Sequence, residues 1–396
     1  MNQEEIKNKI SRNVRKFYLY GFILGIHTVR GVYYPYMTVW GGLTFLEMML
    51  LQSYFMFMIF ILEIPSGAIA DYLSRKTAFT LSALFVVLAA FTYSIFPNIF
   101  LFFLAETFWA FSIALSSGTD EAFMFSTLKT KGEEGKLPKV LGRYQLMYLI
   151  ANVISAPLGS VIAEFISLQF TMTCLGLIYI GMVITSLTFK EPPFKAEEKT
   201  KNYLTILKEG FDELKKNKIL RVLCFDRLFI NICVFFLFWT YQPYLTAVNI
   251  PIVFFGFILA AMNIFNAIFN ELIPRFLLKV KNKKYLLISV NLITAFAFFT
   301  LGFAVIPILG ILMLFLIVSF GYTRGLIYIN GINQQIESEN RATVLSTINM
   351  FGSISRAILF PLIGLIVEWN LFAMFIIIGI VILIFTLLSK VKSEYL

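Results

Sequence analysis

The chain has 396 residues, of which 59% are hydrophobic and 14% charged, with a formal net charge of +10 and a mean hydropathy of +0.81. A soluble domain carries about 25% charged residues, so this composition excludes an ordinary soluble protein and points to a chain that crosses a membrane many times. The positive balance does not mark a nucleic-acid binder, because the Lys and Arg residues sit at the ends of apolar runs rather than along one face.

A bilayer core of about 30 Å needs about 20 apolar residues per helix, and twelve runs qualify. They lie near 17–40, 44–69, 77–96, 98–124, 140–165, 168–189, 220–247, 252–278, 285–305, 307–334, 342–367 and 370–389. The first is preceded by the basic stretch Met1–Lys16 and is too long for the apolar region of a cleavable signal. Basic residues follow every second span: Arg75 and Lys76, then Lys129 to Lys139, then Lys279 to Lys284, then Lys390 and Lys392. The alternate connections hold no Lys or Arg. That asymmetry predicts a multi-pass plasma-membrane protein with both termini in the cytoplasm.

One connection is long. Residues 190–218 open with Glu191-Pro192-Pro193, which ends the sixth span, and continue into an amphipathic pattern from Tyr203 onward. This predicts a helix lying on the membrane surface. It divides the chain into a six-helix half over 1–189, a cytoplasmic linker over 190–218, and a second six-helix half over 219–396. An internal repeat supports the division. Pro35-Tyr36 ends the first span and Pro243-Tyr244 the seventh, an offset of 208 (243 − 35). Glu63 and Glu271 repeat at the same offset (271 − 63), and Pro157 and Pro361 recur at 204 (361 − 157).

Between the second and third spans stand Gly67, Asp71, Arg75 and Lys76. Their spacing resembles the signature loop of the major facilitator superfamily, with Ser74 where that family usually has Gly. With the duplicated halves and the central linker, the resemblance covers the whole chain. It implies an all-α fold of twelve transmembrane helices in two pseudo-symmetric six-helix bundles, with a central cavity opening to alternate sides. The chain also resembles the bacterial and archaeal drug–proton antiporters of that family, with two departures. Glu106 stands about where those proteins carry an Arg, and Ala156-Pro157-Leu158-Gly159 matches only part of their Gly-Pro bend.

Charged groups inside spans are the first candidates for function, because a central Arg costs about 2.5–3.5 kcal/mol on insertion scales and needs a partner or a wet cavity. Arg30 lies in the first span, with His27 and Tyr34 on its face if the helix is continuous, and Tyr33 beside it. Glu106 lies in the fourth span with Trp109 a turn away. Arg30 and Glu106 form either a breakable pair that couples a proton to transport or a permanent brace between helices. His27, the one histidine, is either a proton relay or a packing residue. Arg324 with Tyr328 in the tenth span, and Arg356 with Asn349 and Ser353 in the eleventh, either attract a substrate anion or are satisfied by carbonyls and by Asn330 or Asn349. Asn263, Asn266 and Asn270 form one polar stripe in the eighth span, facing either a cavity or another helix.

A cytoplasmic gate is expected from Gly67, Asp71, Arg75, Lys76, Asp120, Glu121, Arg143 and Arg341, with Asp71 against the positive end of the eleventh helix. The alternative is a surface ion network of little weight. Cys174, Cys224 and Cys233 have no metal-type spacing and read as packing residues. There is no nucleotide-binding loop, metal cluster or nucleophile motif, so no enzyme, cofactor or nucleic-acid partner is expected. The reading is a monomeric secondary transporter in the bilayer, driven by a proton gradient and exporting a lipophilic small molecule of the multidrug type. The alternatives are transport of an organic anion recognised by the intramembrane Arg residues, and a non-transporting sensor or lipid-interacting scaffold.

Overall fold

The computed structural model describes residues 10–72, 74–192, 203–280, 282–336 and 341–396, without the side chains of 63–72, 203–207, 277, 278, 341, 342 and 346. The described residues are helical and contain no strand. They divide into two compact units, Met1–Leu43 with Tyr54–Lys201 and Thr44–Ser53 with Asn202–Leu396.

The first unit holds α1 (Asn13–Gly25), α2 (Phe45–Tyr72) from Tyr54 onward, α3 (Arg75–Ile95), α4 (Ile99–Ser116), α5 (Thr119–Lys129), α6 (Leu137–Phe165) and α7 (Leu168–Thr188). Gly118, at φ +71, turns the chain between α4 and α5, a left-handed backbone that costs glycine nothing. One end of the unit is pinned by four buried rings. Phe17, Phe79, Phe123 and Phe189 meet in edge-on and tilted pairs with centroids 4.7–6.1 Å apart, so residues on or beside α1, α3, α5 and α7 share one apolar knot.

The second unit adds α8 (Tyr203–Lys216), α9 (Lys218–Phe235), α10 (Leu237–Ala247), α11 (Phe255–Lys279), α12 (Lys283–Leu301), α13 (Pro307–Gln334) and α14 (Arg341–Leu388). The last is two helices merged across Asn370, whose φ of −165° and ψ of 111° are not helical. Among the described residues ten helices are long and apolar enough to cross a membrane, against twelve expected spans. Two causes account for the difference. The eleventh and twelfth spans run together in α14, and the first span is broken.

That break is the main departure from the sequence pattern. α1 stops at Gly25, and Ile26 is extended with ψ 110°. The chain resumes as a single 3-10 turn at Arg30–Val32, one α turn at Tyr33–Pro35 and a π turn at Tyr36–Trp40. The expected helical face joining His27, Arg30 and Tyr34 therefore does not exist. Breaking a helix frees backbone groups that lipid cannot satisfy. Here α6 and α7 meet two of them: the His27 N–H donates to Ser155 Oγ at 3.0 Å, and the Leu24 carbonyl accepts from the Tyr179 hydroxyl at 3.3 Å. The Thr28 side chain adds a tie of its own, its hydroxyl donating to the Thr171 carbonyl of α7 at 2.7 Å. Gly159 lets α6 approach closely enough: a Cβ there would stand 1.6 Å from the Thr28 carbonyl oxygen.

The repeat seen in the sequence has a structural counterpart. Tyr36 and Tyr244 are fully buried, and each donates its hydroxyl to a backbone carbonyl, of Tyr93 at 2.9 Å and of Ala304 at 2.8 Å. Ser74 caps the start of α3 and Asn282 the start of α12, again 208 apart (282 − 74).

The later part of the amphipathic helix α8 packs against α14. Gly210 lies against Thr343 and Thr347, Phe211 pairs with Phe351 at 6.1 Å, and Leu214 joins the core of Leu220, Val344 and Ile348. This contact removes part of the helix's apolar area from water and adds close packing.

Replacing Gly159 by Ala should lower the yield of monodisperse protein and its melting temperature in detergent. The clash is with backbone, so the cost exceeds the ~1–3 kcal/mol of ordinary overpacking. Gly142→Ala, in the same helix but facing open space, should leave both unchanged or slightly raised.

Candidate functional site

In the first unit the break in the first span brings together the residues of interest. Glu106 on α4 is 4% exposed. Its Oε1 accepts a hydrogen bond from the Tyr93 hydroxyl of α3 at 2.5 Å. Tyr33, in the irregular stretch after the break, lies beside both Glu106 and Tyr93. One carboxylate thus brings α3, α4 and the broken first span together. Trp109, three residues beyond Glu106 on α4, stacks on the His27 ring with centroids 5.6 Å apart and planes at 26°. His27 lies close enough to Arg30 for their charges to interact. Its Nδ1 is buried and has no hydrogen-bond partner among the described residues, as is true of Asn152 Nδ2 on α6. Tyr34 is half-buried, and its carbonyl accepts from Thr38 at 2.8 Å. Sequence reasoning named Glu106 and Trp109 but missed Tyr93, which looks like any aromatic residue near the end of an apolar helix.

In the second unit the two arginines differ. Arg324 on α13 is 1% exposed and its three nitrogens all have partners. Nε donates to Asn291 Oδ1 at 2.6 Å, Nη1 to the Arg227 carbonyl at 3.4 Å, and Nη2 to the Asp226 carbonyl at 3.1 Å, to Asp226 Oδ1 and to the Tyr328 hydroxyl. Tyr328 donates to the same Asp226 oxygen, and Ser389 donates to the other at 2.5 Å. This network joins α9, α12, α13 and the segment after α14. The expected partner Asn330 plays no part in it. Asp226, a carboxylate eight residues into an apolar helix, was the available signal: such a group is paired or functional.

Arg356 on α14 is half-buried. Its Nη2 donates to Ser353 Oγ at 3.0 Å, and its guanidinium lies over the Phe235 ring at 4.9 Å. Asn349 is exposed and does not bond it; the Asn349 carbonyl accepts from Ser353. On α11, Asn263 and Asn266 are half-buried, and Asn270 donates to Asn266 at 3.4 Å.

Of the expected gate, the side chains of Gly67, Asp71 and Arg341 lie outside the described residues. Arg75 donates to the Ala122 carbonyl at 2.9 Å, and the Lys76 N–H donates to Glu191 Oε2 at 2.8 Å. Glu191 therefore caps α3 from beyond α7. Asp120 Oδ1 accepts from the Glu121 N–H at 2.8 Å, and Arg143 is exposed. Among the described residues no group of His, Cys, Asp and Glu can hold a metal ion.

A family description of the Major Facilitator Superfamily matches residues 19–336. The chain belongs to that superfamily. Sequence comparison with curated proteins finds no match, but solved structures are similar in fold. The nucleoside transporter NupG superposes with a TM-score of 0.77 at 17% identity, over 99% of this chain and 100% of that one. A bacterial homologue of the human lysosomal transporter Spinster, inward-facing and occupied, gives 0.69 at 13% identity, over 97% of this chain and 95% of that one. A D-xylose–proton symporter gives 0.67 at 13% identity, over 97% and 98%. This major facilitator protein is thus a multi-pass secondary transporter and not an enzyme. None of these three is a drug–proton antiporter, so that closer resemblance gains no support from them.

The Arg324–Asp226 pair gives a measurable contrast. Arg324→Gln leaves a buried carboxylate uncompensated and should cost ~3–5 kcal/mol. The double variant Asp226→Asn/Arg324→Gln should recover a large part of it, as read by thermal unfolding in detergent. Equal losses for single and double variants would show that the pair is not coupled.

Proposed function

We propose that this chain is a proton-coupled secondary transporter with Glu106 as its coupling acid, acting as a monomer in the plasma membrane with both termini in the cytoplasm. The observation that carries the reading is that the buried Glu106 carboxylate accepts a hydrogen bond from Tyr93 and lies beside Tyr33, because Tyr33 belongs to the broken part of the first span. An ionised carboxylate only accepts hydrogen bonds, whereas a protonated one also donates. Each proton taken up or released at Glu106 therefore rearranges the Tyr33 contact and the stretch that carries Arg30 and His27. Broken helices of this kind line midplane sites in secondary transporters, whose halves rock about the site. A similar structure, the D-xylose–proton symporter, is named for a solute moved with protons, which supports proton coupling here.

For cargo we propose a small molecule with a lipophilic, planar body, received on the His27–Trp109 surface and exported against protons. The gate over Gly67, Asp71, Arg75, Lys76, Asp120, Glu121, Arg143 and Arg341 closes the cytoplasmic side in this scheme. The energy source is the proton gradient, with no bound cofactor.

The test uses protein in liposomes loaded with a pH-sensitive dye, a proton gradient, and cationic, neutral and anionic compounds. Compound-dependent proton flux is expected in the wild type. In Glu106→Gln it should fall to the level of empty liposomes, and in Tyr33→Phe to an intermediate one. Undiminished flux in Glu106→Gln would make the acid a brace and remove the reading.

A further inference from the structure

The two arginines of the second unit are a comparison built into one molecule. Both sit in apolar helices, where an Arg costs about 2.5–3.5 kcal/mol on insertion scales unless it is compensated. Arg324 is compensated by Asp226, Asn291, Tyr328 and two carbonyls. Arg356, midway along the first helix of α14, has no carboxylate partner among the described residues. Of its five N–H donors one is used, on Ser353, and its Nε is buried without a hydrogen bond.

Its position on the helix says where the remaining donors open. At 100° per residue, the exposed apolar residues Ile358, Leu362, Leu365 and Trp369 form one stripe. Asn349, Ser353 and Arg356 lie on the opposite side. That side is polar, partly exposed and at membrane depth, and lipid offers it no partner. Below the guanidinium the floor is aromatic: Phe235 at 4.9 Å, with Phe360 5.9 Å from Phe235.

We infer that Arg356 is an anion-recognition residue, and that the cargo carries a carboxylate or phosphate on an apolar body. A guanidinium with several donors left open suits a planar oxyanion, and the phenyl rings beside it suit the apolar part. This deepens the transport reading above and rests on it. It also separates two residues that look alike in sequence: Arg324 holds the unit together, and Arg356 reads the substrate.

The experiment keeps one ring and changes its head group: benzoate, phenyl phosphate, benzamide and benzylamine. Thermal unfolding of the purified full-length protein in detergent is followed up to about 10 mM, where a millimolar site is mostly filled. At least one anion should stabilise the wild type, while benzamide and benzylamine do not. Arg356→Gln should bind that anion about thirtyfold more weakly or not at all, and Arg356→Lys should keep part of the response. Without ligand, Arg356→Gln should melt no lower than the wild type, since it removes an uncompensated charge.

The inference is overturned if neither anion stabilises the wild type, if the amide or amine does so equally, if the response survives in Arg356→Gln, or if that variant melts as low as Arg324→Gln. Proton flux driven by benzylamine and lost in Glu106→Gln, with no anion response, sinks this inference and leaves the transport reading standing. Arg356-dependent anion binding with no proton flux in liposomes supports it and removes the proton-coupled reading.

Discussion

Inside a bilayer a backbone N–H or carbonyl has no water to turn to, and this constraint shapes the structure at its most informative place. The first span abandons helix between Ile26 and Val29, and side chains on other helices take up two of the freed groups. Ser155 on α6 accepts from the His27 N–H, and Tyr179 on α7 donates to the Leu24 carbonyl. The break is therefore a property of α1, α6 and α7 together. It needs Gly159, because only a residue without Cβ lets the Thr28 carbonyl come so near.

The same accounting applies to charge. Glu106, Asp226, Arg324 and Arg356 all lie in apolar surroundings, but they are settled to different degrees. Asp226 and Arg324 close on each other within a network that also holds Asn291, Tyr328 and Ser389. Glu106 is held by Tyr93 on a regular helix and lies beside Tyr33 on the irregular stretch. Arg356 rests on a hydroxyl and a ring. A fully bonded pair adds cohesion at best, because desolvation takes back much of the Coulomb gain. Groups with open valences or with a contact to a pliant segment are where a solute or a proton has something to change.

Much of the fold was legible in the chain. The spacing of Gly67, Asp71, Arg75 and Lys76, the basic clusters after alternate spans and the Pro35/Pro243 repeat all pointed to the superfamily that residues 19–336 match. The repeat reflects more than composition, since Tyr36 and Tyr244 make the same hydroxyl-to-carbonyl bond in their two units. The candidate sites were legible only in part. Glu106, Trp109, Arg324 and Arg356 stood out as polar or bulky groups within apolar runs. Tyr93 did not, because a tyrosine near a helix end looks like an interfacial anchor. The helical face drawn through His27, Arg30 and Tyr34 failed because it assumed 3.6 residues per turn through a segment that is not a helix.

Hydropathy is a sum over some 20 neighbouring residues, and the cost of leaving lipid depends little on which helix lies next door. The apolar character of the spans and the class of protein could therefore be read along the chain. Which arginine meets a carboxylate, how α8 packs against α14, and where the first span breaks depend on residues far apart in the chain: Asp226 with Arg324, Gly210 with Thr347, His27 with Ser155. No local pattern records such pairings. They exist only once packing has brought the partners within hydrogen-bond or van der Waals reach, where a fraction of an ångström decides between a bond and a clash.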